Sequence, residues 1–161
     1  MIHPQHFIDY VLKPTLNDMK MFSIEAVYLM YATAYTESRL THLKQLNGPA
    51  LGIFQIEPAT YLDVKRYLDT RENIKARVLR AIDNVDIPCS SLHLVTDLKL
   101  STIFARLKYW MSPQPLPDKY QNIDMYHYYK TIYNCNPHVD SKEVFLYALK
   151  EARKFTPPAG N

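Results

Sequence analysis

The sequence predicts an all-α protein, and three observations predict it. Glycine is scarce, with 3 residues in 161, while proline numbers 11, a composition suited to helices with sharp stops rather than strands turned on glycine. Apolar residues recur at three- and four-residue intervals through most of the chain. Between Glu25 and Glu37 there is no charge, and the apolar residues point in all directions, as in a helix at the middle of a core. The length suits a single domain over 1–161 with a real core.

Each element has its own signal. Pro4 to Leu12 reads as a short amphipathic helix on Phe7, Ile8, Val11 and Leu12, ended by Pro14. Ser23 stands where the cap of the central helix belongs. Asn47-Gly48-Pro49 marks a turn, and Leu51 to Ile56 reads as a short extended segment. Pro58 suits the first turn of a helix running to Leu68. Arg71 to Val85 is helical by the spacing of Ile74, Val78, Leu79 and Ile82, and Asp86-Ile87-Pro88 breaks it. Leu92 to Met111 reads as one long helix. The proline-rich Ser112 to Pro117 is a rigid connector, since each proline forces its predecessor out of the helical region. Asp118 to Tyr133 is a Tyr-rich helix, and Ser141 to Phe155 the last; the tail from Thr156 to Asn161 is expected to fray. There is no internal repeat or low-complexity tract.

The net charge of +3 is spread along the chain with no Lys/Arg stripe or binding motif, so nucleic acid is not an expected partner. No stretch has the length of a membrane span, so no membrane insertion is expected. The N-terminus lacks a basic leader followed by an apolar run, with Asp9 and Lys13 interrupting it. Cys89 with His93 and Cys135 with His138 have spacings acceptable for tetrahedral zinc, yet neither half carries the paired-cysteine knuckle. Two free thiols, no metal and no cofactor are the expectation. His3, His6, His42 and His127 show no partner motif, though His42 could lie at a cleft rim. Thirteen tyrosines and one tryptophan suit a saccharide cleft, although core and surface filling accounts for most of them.

Glu37 ends the uncharged stretch. A carboxyl at the rim of an apolar core loses hydration, which disfavours its charged form and suits it to act as a general acid near neutral pH. Taken alone, a Glu at a helix end is usually just a solvated residue marking where the helix surfaces. Fourteen residues on comes Leu51-Gly52-Ile53-Phe54-Gln55-Ile56, then Glu57-Pro58-Ala59-Thr60, in which Gly52 permits close backbone approach and Gln55 offers a donor and an acceptor.

Glu37-Ser38, the Ala50–Thr60 segment and Ile132-Tyr133-Asn134 together resemble, in order, the three motifs of soluble lytic transglycosylases. The likeness covers roughly Ile24 to Pro137, and the second motif is its specific part. It departs from the family at Pro49, where glycine is preferred, and at Cys135-Asn136-Pro137, where glycine should follow the Tyr-Asn pair. The resemblance implies a lysozyme-like helical fold with a small β-like lip at 51–56, acting on peptidoglycan glycan strands. It implies Glu37 as the catalytic acid, oriented by Tyr133 and supported by Ser38. Gln55 and Asn134 would bind N-acetyl or hydroxyl groups of the glycan, and Phe54 would wall the cleft.

Most glycosidases need two carboxylates. The resemblance implies one: Glu37 protonates the leaving oxygen, the substrate's acetamido group stabilises the cation, and the same Glu deprotonates the sugar's 6-hydroxyl to close an anhydro ring. A hydrolase of the lysozyme type would need a base for water, for which Glu57, Asp63 and Asp69 are the nearby choices. A third reading is a structural or glycan-binding protein that keeps the fold without turnover. A wall-directed chain without an evident secretory leader suggests a bacteriophage product, carried with other virion proteins or released to the wall from the host cytoplasm.

Overall fold

A computed structural model describes residues 1–158; residues 159–161, part of the tail expected to fray, lie outside the described residues. The chain is all-α, and its helices surround one whose middle is buried on every side. The first helices are α1 (Pro4–Phe7) and α2 (Lys13–Asp18), joined without a break by a π-helical turn over Ile8–Leu12. Pro14 therefore does not stop the helix as expected. The amide of Lys13 reaches back five residues to the Ile8 carbonyl. This wider turn makes room just where the proline ring would crowd the preceding turn and where its missing N–H leaves a carbonyl unbonded.

The central helix α3 (Ile24–Ser38) starts at Ser23, whose hydroxyl accepts the Ala26 amide at 3.0 Å. Every residue from Ala26 to Ala34 is buried, as the uncharged stretch predicts. The Thr33 hydroxyl in that stretch is satisfied twice. Thr33 donates to the Leu29 carbonyl at 2.8 Å, so the Tyr109 hydroxyl 2.7 Å away must donate to Thr33. The helix ends on Arg39 and Leu40, both in the left-handed region at φ 55° and 52°. Such backbone costs about 1–3 kcal/mol per residue and persists only where the surroundings hold it. Here Leu40 is buried, and its carbonyl takes the Ile2 amide at 3.0 Å.

Residues 51–56 form a lip rather than a strand. Leu51 and Ile56 exchange both backbone bonds, and Leu51 also bridges to Lys44. Gly52 takes φ 75°, and a Cβ there would lie 2.5 Å from the Leu94 carbonyl oxygen, so only glycine fits. Next come α4 (Pro58–Asp69), with Pro58 in its first turn, and α5 (Glu72–Ala81), which ends earlier than expected as Asp83 turns to φ 50°. The expected long helix over 92–111 is two, α6 (His93–Thr96) and α7 (Leu98–Trp110). Asp97 separates them in extended backbone and accepts the Leu100 amide at 2.8 Å, a cap that apolar periodicity conceals.

Then α8 (Asn122–Tyr128) runs into a second π-helical turn, Tyr129–Asn134, and α9 (Lys142–Phe155) closes the chain. α9 lies along α3 and buries Phe145, Ala148, Leu149 and Ala152, one stripe at helical spacing. Tyr28 of α3 donates to the Thr156 carbonyl at 2.7 Å, so the tail is held at Thr156 instead of fraying there.

Candidate active site

The last turn of α3, the lip, the last turn of α7 and the second π-helical turn enclose an open groove of about 630 Å³. Glu37, Gln55, Glu57, Lys108, Tyr129 and Asn134 are among its lining residues. The strained turn at Arg39–Leu40 sends the chain away immediately after Glu37, leaving its carboxyl at the groove and its helix in the core.

Two donors converge on one oxygen of that carboxyl. The Tyr129 hydroxyl donates to Glu37 Oε1 at 2.7 Å, and Asn134 Nδ2 donates to the same oxygen at 3.3 Å. No protein donor among the described residues bonds Oε2, so a protonated Glu37 carries its hydrogen there, facing the groove. Burial raises the Glu37 carboxyl above its ordinary value; the bonds from Tyr129 and Asn134 and the charges of Lys108 and Lys130 oppose this without reversing it. Burial and the neighbouring Glu37 charge push the Tyr129 phenol far up, so it remains a donor at any working pH.

The orientation of Asn134 is enforced from behind. Lys130 Nζ bonds Asn134 Oδ1 at 2.8 Å, the Val139 carbonyl at 2.9 Å and the Asn136 carbonyl. An ammonium group only donates, so the amide oxygen must face Lys130 and the NH2 must face Glu37. Lys108 enters from α7. Its ammonium donates to the Tyr133 carbonyl and lies 4.3 Å from the centre of that ring, and burial pushes its pKa down.

Of the residues singled out from sequence, Glu37, Gln55, Tyr133 and Asn134 line this groove. Tyr133, however, does not orient Glu37. Its hydroxyl donates to the Phe54 carbonyl at 2.8 Å, tying the π-helical turn to the lip, and Tyr129 takes the role expected of it. Phe54 does not wall the cleft: it is 0% exposed and sits beside Phe7. Ser38 is 1% exposed and turns inward, its hydroxyl bonding the Ala34 carbonyl at 3.0 Å, so it neither touches the carboxyl nor meets a ligand. Asn134 spends its NH2 on Glu37 rather than presenting it only to a sugar. Gln55, at φ 50°, bonds its own lip at the Gly52 carbonyl, 2.9 Å away. His42 lines a shallow depression next to the groove with Glu37 and Gln55, where a rim residue was expected.

Sequence reasoning missed Tyr129. Four tyrosines crowd positions 126–133, and a regular helix gives no reason to prefer 129 over 133. In the π-helical turn, closed by the Cys135 amide on the Lys130 carbonyl, it is Tyr129 that reaches Glu37 while Tyr133 reaches the Phe54 carbonyl. Cys135 takes φ 53° just after the Tyr-Asn pair, so the left-handed position for which glycine was expected exists without glycine.

Glu57 lines the same groove, whereas Asp63 and Asp69 are paired elsewhere with Arg66 at 2.9 Å and Lys75 at 2.7 Å. Cys89 and Cys135 are exposed free thiols, and among the described residues no three His, Cys, Asp or Glu side chains converge as metal ligands. No helix among them is long and apolar enough to cross a membrane. Comparison with protein-family models, curated proteins and solved structures finds no match to this chain.

Proposed function

We propose that this chain cleaves the β-1,4 bond between MurNAc and GlcNAc in peptidoglycan as a lytic transglycosylase, with Glu37 as its sole acid and base. The observation that carries the reading is the half-buried Glu37 carboxyl on an open groove, held by two donors on one oxygen and free on the other. Glu37 gives its Oε2 proton to the glycosidic oxygen as the C–O bond breaks. The substrate's acetamido group stabilises the cation at the ring carbon. The resulting carboxylate removes the proton from the sugar's 6-hydroxyl, whose oxygen closes the 1,6-anhydro ring and restores the acid. Tyr129 and Asn134 keep Oε1 fixed throughout, and Gln55 lies where it can meet the glycan. The sequence resemblance to the transglycosylase motifs supports the same choice.

The Glu57 carboxylate on the groove favours a second reading, a muramidase in which Glu57 activates water. Mass spectrometry of muropeptides released from purified cell walls decides between them: anhydro ends are expected, and reducing ends would transfer the reaction to the hydrolase. Glu37→Gln keeps the oxygen that accepts both bonds but has no proton to give. It is expected to lower wall clearing about 10²–10⁴-fold. If the parent protein binds walls and releases nothing, a glycan-binding module replaces both readings. Delivery to the wall as part of a bacteriophage particle, among other virion proteins, belongs to the same proposal and is tested by detecting the chain in purified particles.

A further inference from the structure

Arg106 and Lys108 stand two residues apart on α7, about 200° around the helix, and so face opposite sides. Lys108 has partners at the Glu37 groove. Arg106 is 4% exposed, its Nε is fully buried without an acceptor, and no carboxylate among the described residues lies within salt-bridge distance of it. Burial pushes its pKa down, opposed only by the phenols of Tyr128 and Tyr109. An unpaired buried cation is costly, and buried charges are as a rule paired.

The guanidinium lines a cavity of about 190 Å³, roofed by the connector that carries Pro115 and Leu116. The Trp110 ring lies 5.4 Å from the guanidinium carbon and is 41% exposed at the mouth. The phenols are already engaged: Tyr128 donates to the Gln114 carbonyl at 3.1 Å and Tyr109 to Thr33. One fork of donors with a single positive charge and apolar walls matches one planar monoanion. At roughly 30 Å³ per water, the space holds about six, enough for a carboxylate on a two- or three-carbon group.

We propose that the Arg106 cavity is a carboxylate-binding site, separate from the Glu37 groove, taking a small aliphatic acid or an alanine-like peptide end. The carboxylate pairs with Arg106, and the aliphatic part rests against Trp110, Pro115 and Leu116. This goes beyond the glycan-cleaving reading and does not depend on it.

Trp110 is the chain's only tryptophan, so intrinsic fluorescence reads this site directly. The protein is titrated at constant ionic strength with propionate and with an N-acetylated tripeptide ending in alanine, each against its neutral amide. A saturable change with the acids and none with the amides is expected by about 100 mM, a hundredfold above a Kd of about 1 mM. The tighter of the two acids identifies the source, free acid or peptide end. The same acid should raise the parent's Tm by a few degrees, and its amide should not. Arg106→Met should melt no lower than the parent, because it replaces an unpaired buried charge with an apolar stem, and should lose the fluorescence response. The proposal is overturned if acids and amides act alike, if neither acts on fluorescence or Tm, or if folded Arg106→Met still responds.

Discussion

The described residues contain two π-helical turns, and they arise for different reasons. The first, Ile8–Leu12, has a local cause in Pro14, which the wide turn accommodates in an otherwise continuous helix. The second, Tyr129–Asn134, contains no proline. It is held from outside: Tyr129 bonds Glu37, Tyr133 bonds the lip, Lys108 bonds the Tyr133 carbonyl, and Lys130 ties Asn134 to the loop beyond. The same distortion is thus a packing solution at one place and the frame of the candidate site at the other. Wide turns without a local cause mark places where tertiary contacts dictate the backbone.

Mutations can break or sharpen that contrast. The largest effect within the second turn is expected from Tyr129→Phe. It removes a bond to a charged acceptor worth about 1.5–3 kcal/mol, so wall clearing should fall about tenfold or more. That bond favours the carboxylate, so its loss raises the Glu37 carboxyl further and moves the alkaline limb of the pH–rate profile upwards. An unmoved limb would show that Tyr129 does not hold the acid.

Lys130→Met leaves Glu37 and its two donors in the chain but frees the Asn134 amide to rotate. Losing about 1 kcal/mol of orientation corresponds to roughly a fivefold loss of activity, with Tyr129 still in place. Activity equal to the parent's would mean the turn is held without the lysine.

A smaller effect is expected on stability, in the opposite direction. Burial raises the Glu37 carboxyl, so the folded chain holds that proton more tightly than the unfolded chain. Stability therefore falls as pH rises from the ordinary carboxylate value through that of Glu37, and the cost is complete above it. Glu37→Gln has no such cost. It should melt higher than the parent at pH 7, with the gap closing below about pH 4. Thermal unfolding of both proteins across that range checks the sign.

Pro14→Ala should do least. The first turn lies apart from the groove, so activity should be unchanged. Stability should drop only by about 0.4–1 kcal/mol, mainly through the freer unfolded chain. A fall in activity would show that the two turns are coupled through the core.

The buried course of α3 was legible because thirteen consecutive positions, Glu25 to Glu37, hold charge only at their ends. The stripe of α9, the proline start of α4 and the position of Glu37 at the rim were legible for similar reasons. Ser38 and Phe54 were misjudged because adjacency to a motif residue does not set direction: on a helix, neighbours point about 100° apart. The break at Asp97 was a missed local signal, a capping aspartate hidden in apolar periodicity.

Patterns three to five residues long suffice to decide which stretches become helices, which face of each is apolar and where one carboxyl leaves the core. They cannot choose between Tyr129 and Tyr133 as the partner of Glu37, nor show that Arg106 is left unpaired while Lys108 is not. Those outcomes depend on contacts between parts of the chain 25 to 97 residues apart. A hydrogen bond at that separation exists only after the helices have packed, and packing energy, not local preference, sets the wide turn that makes it.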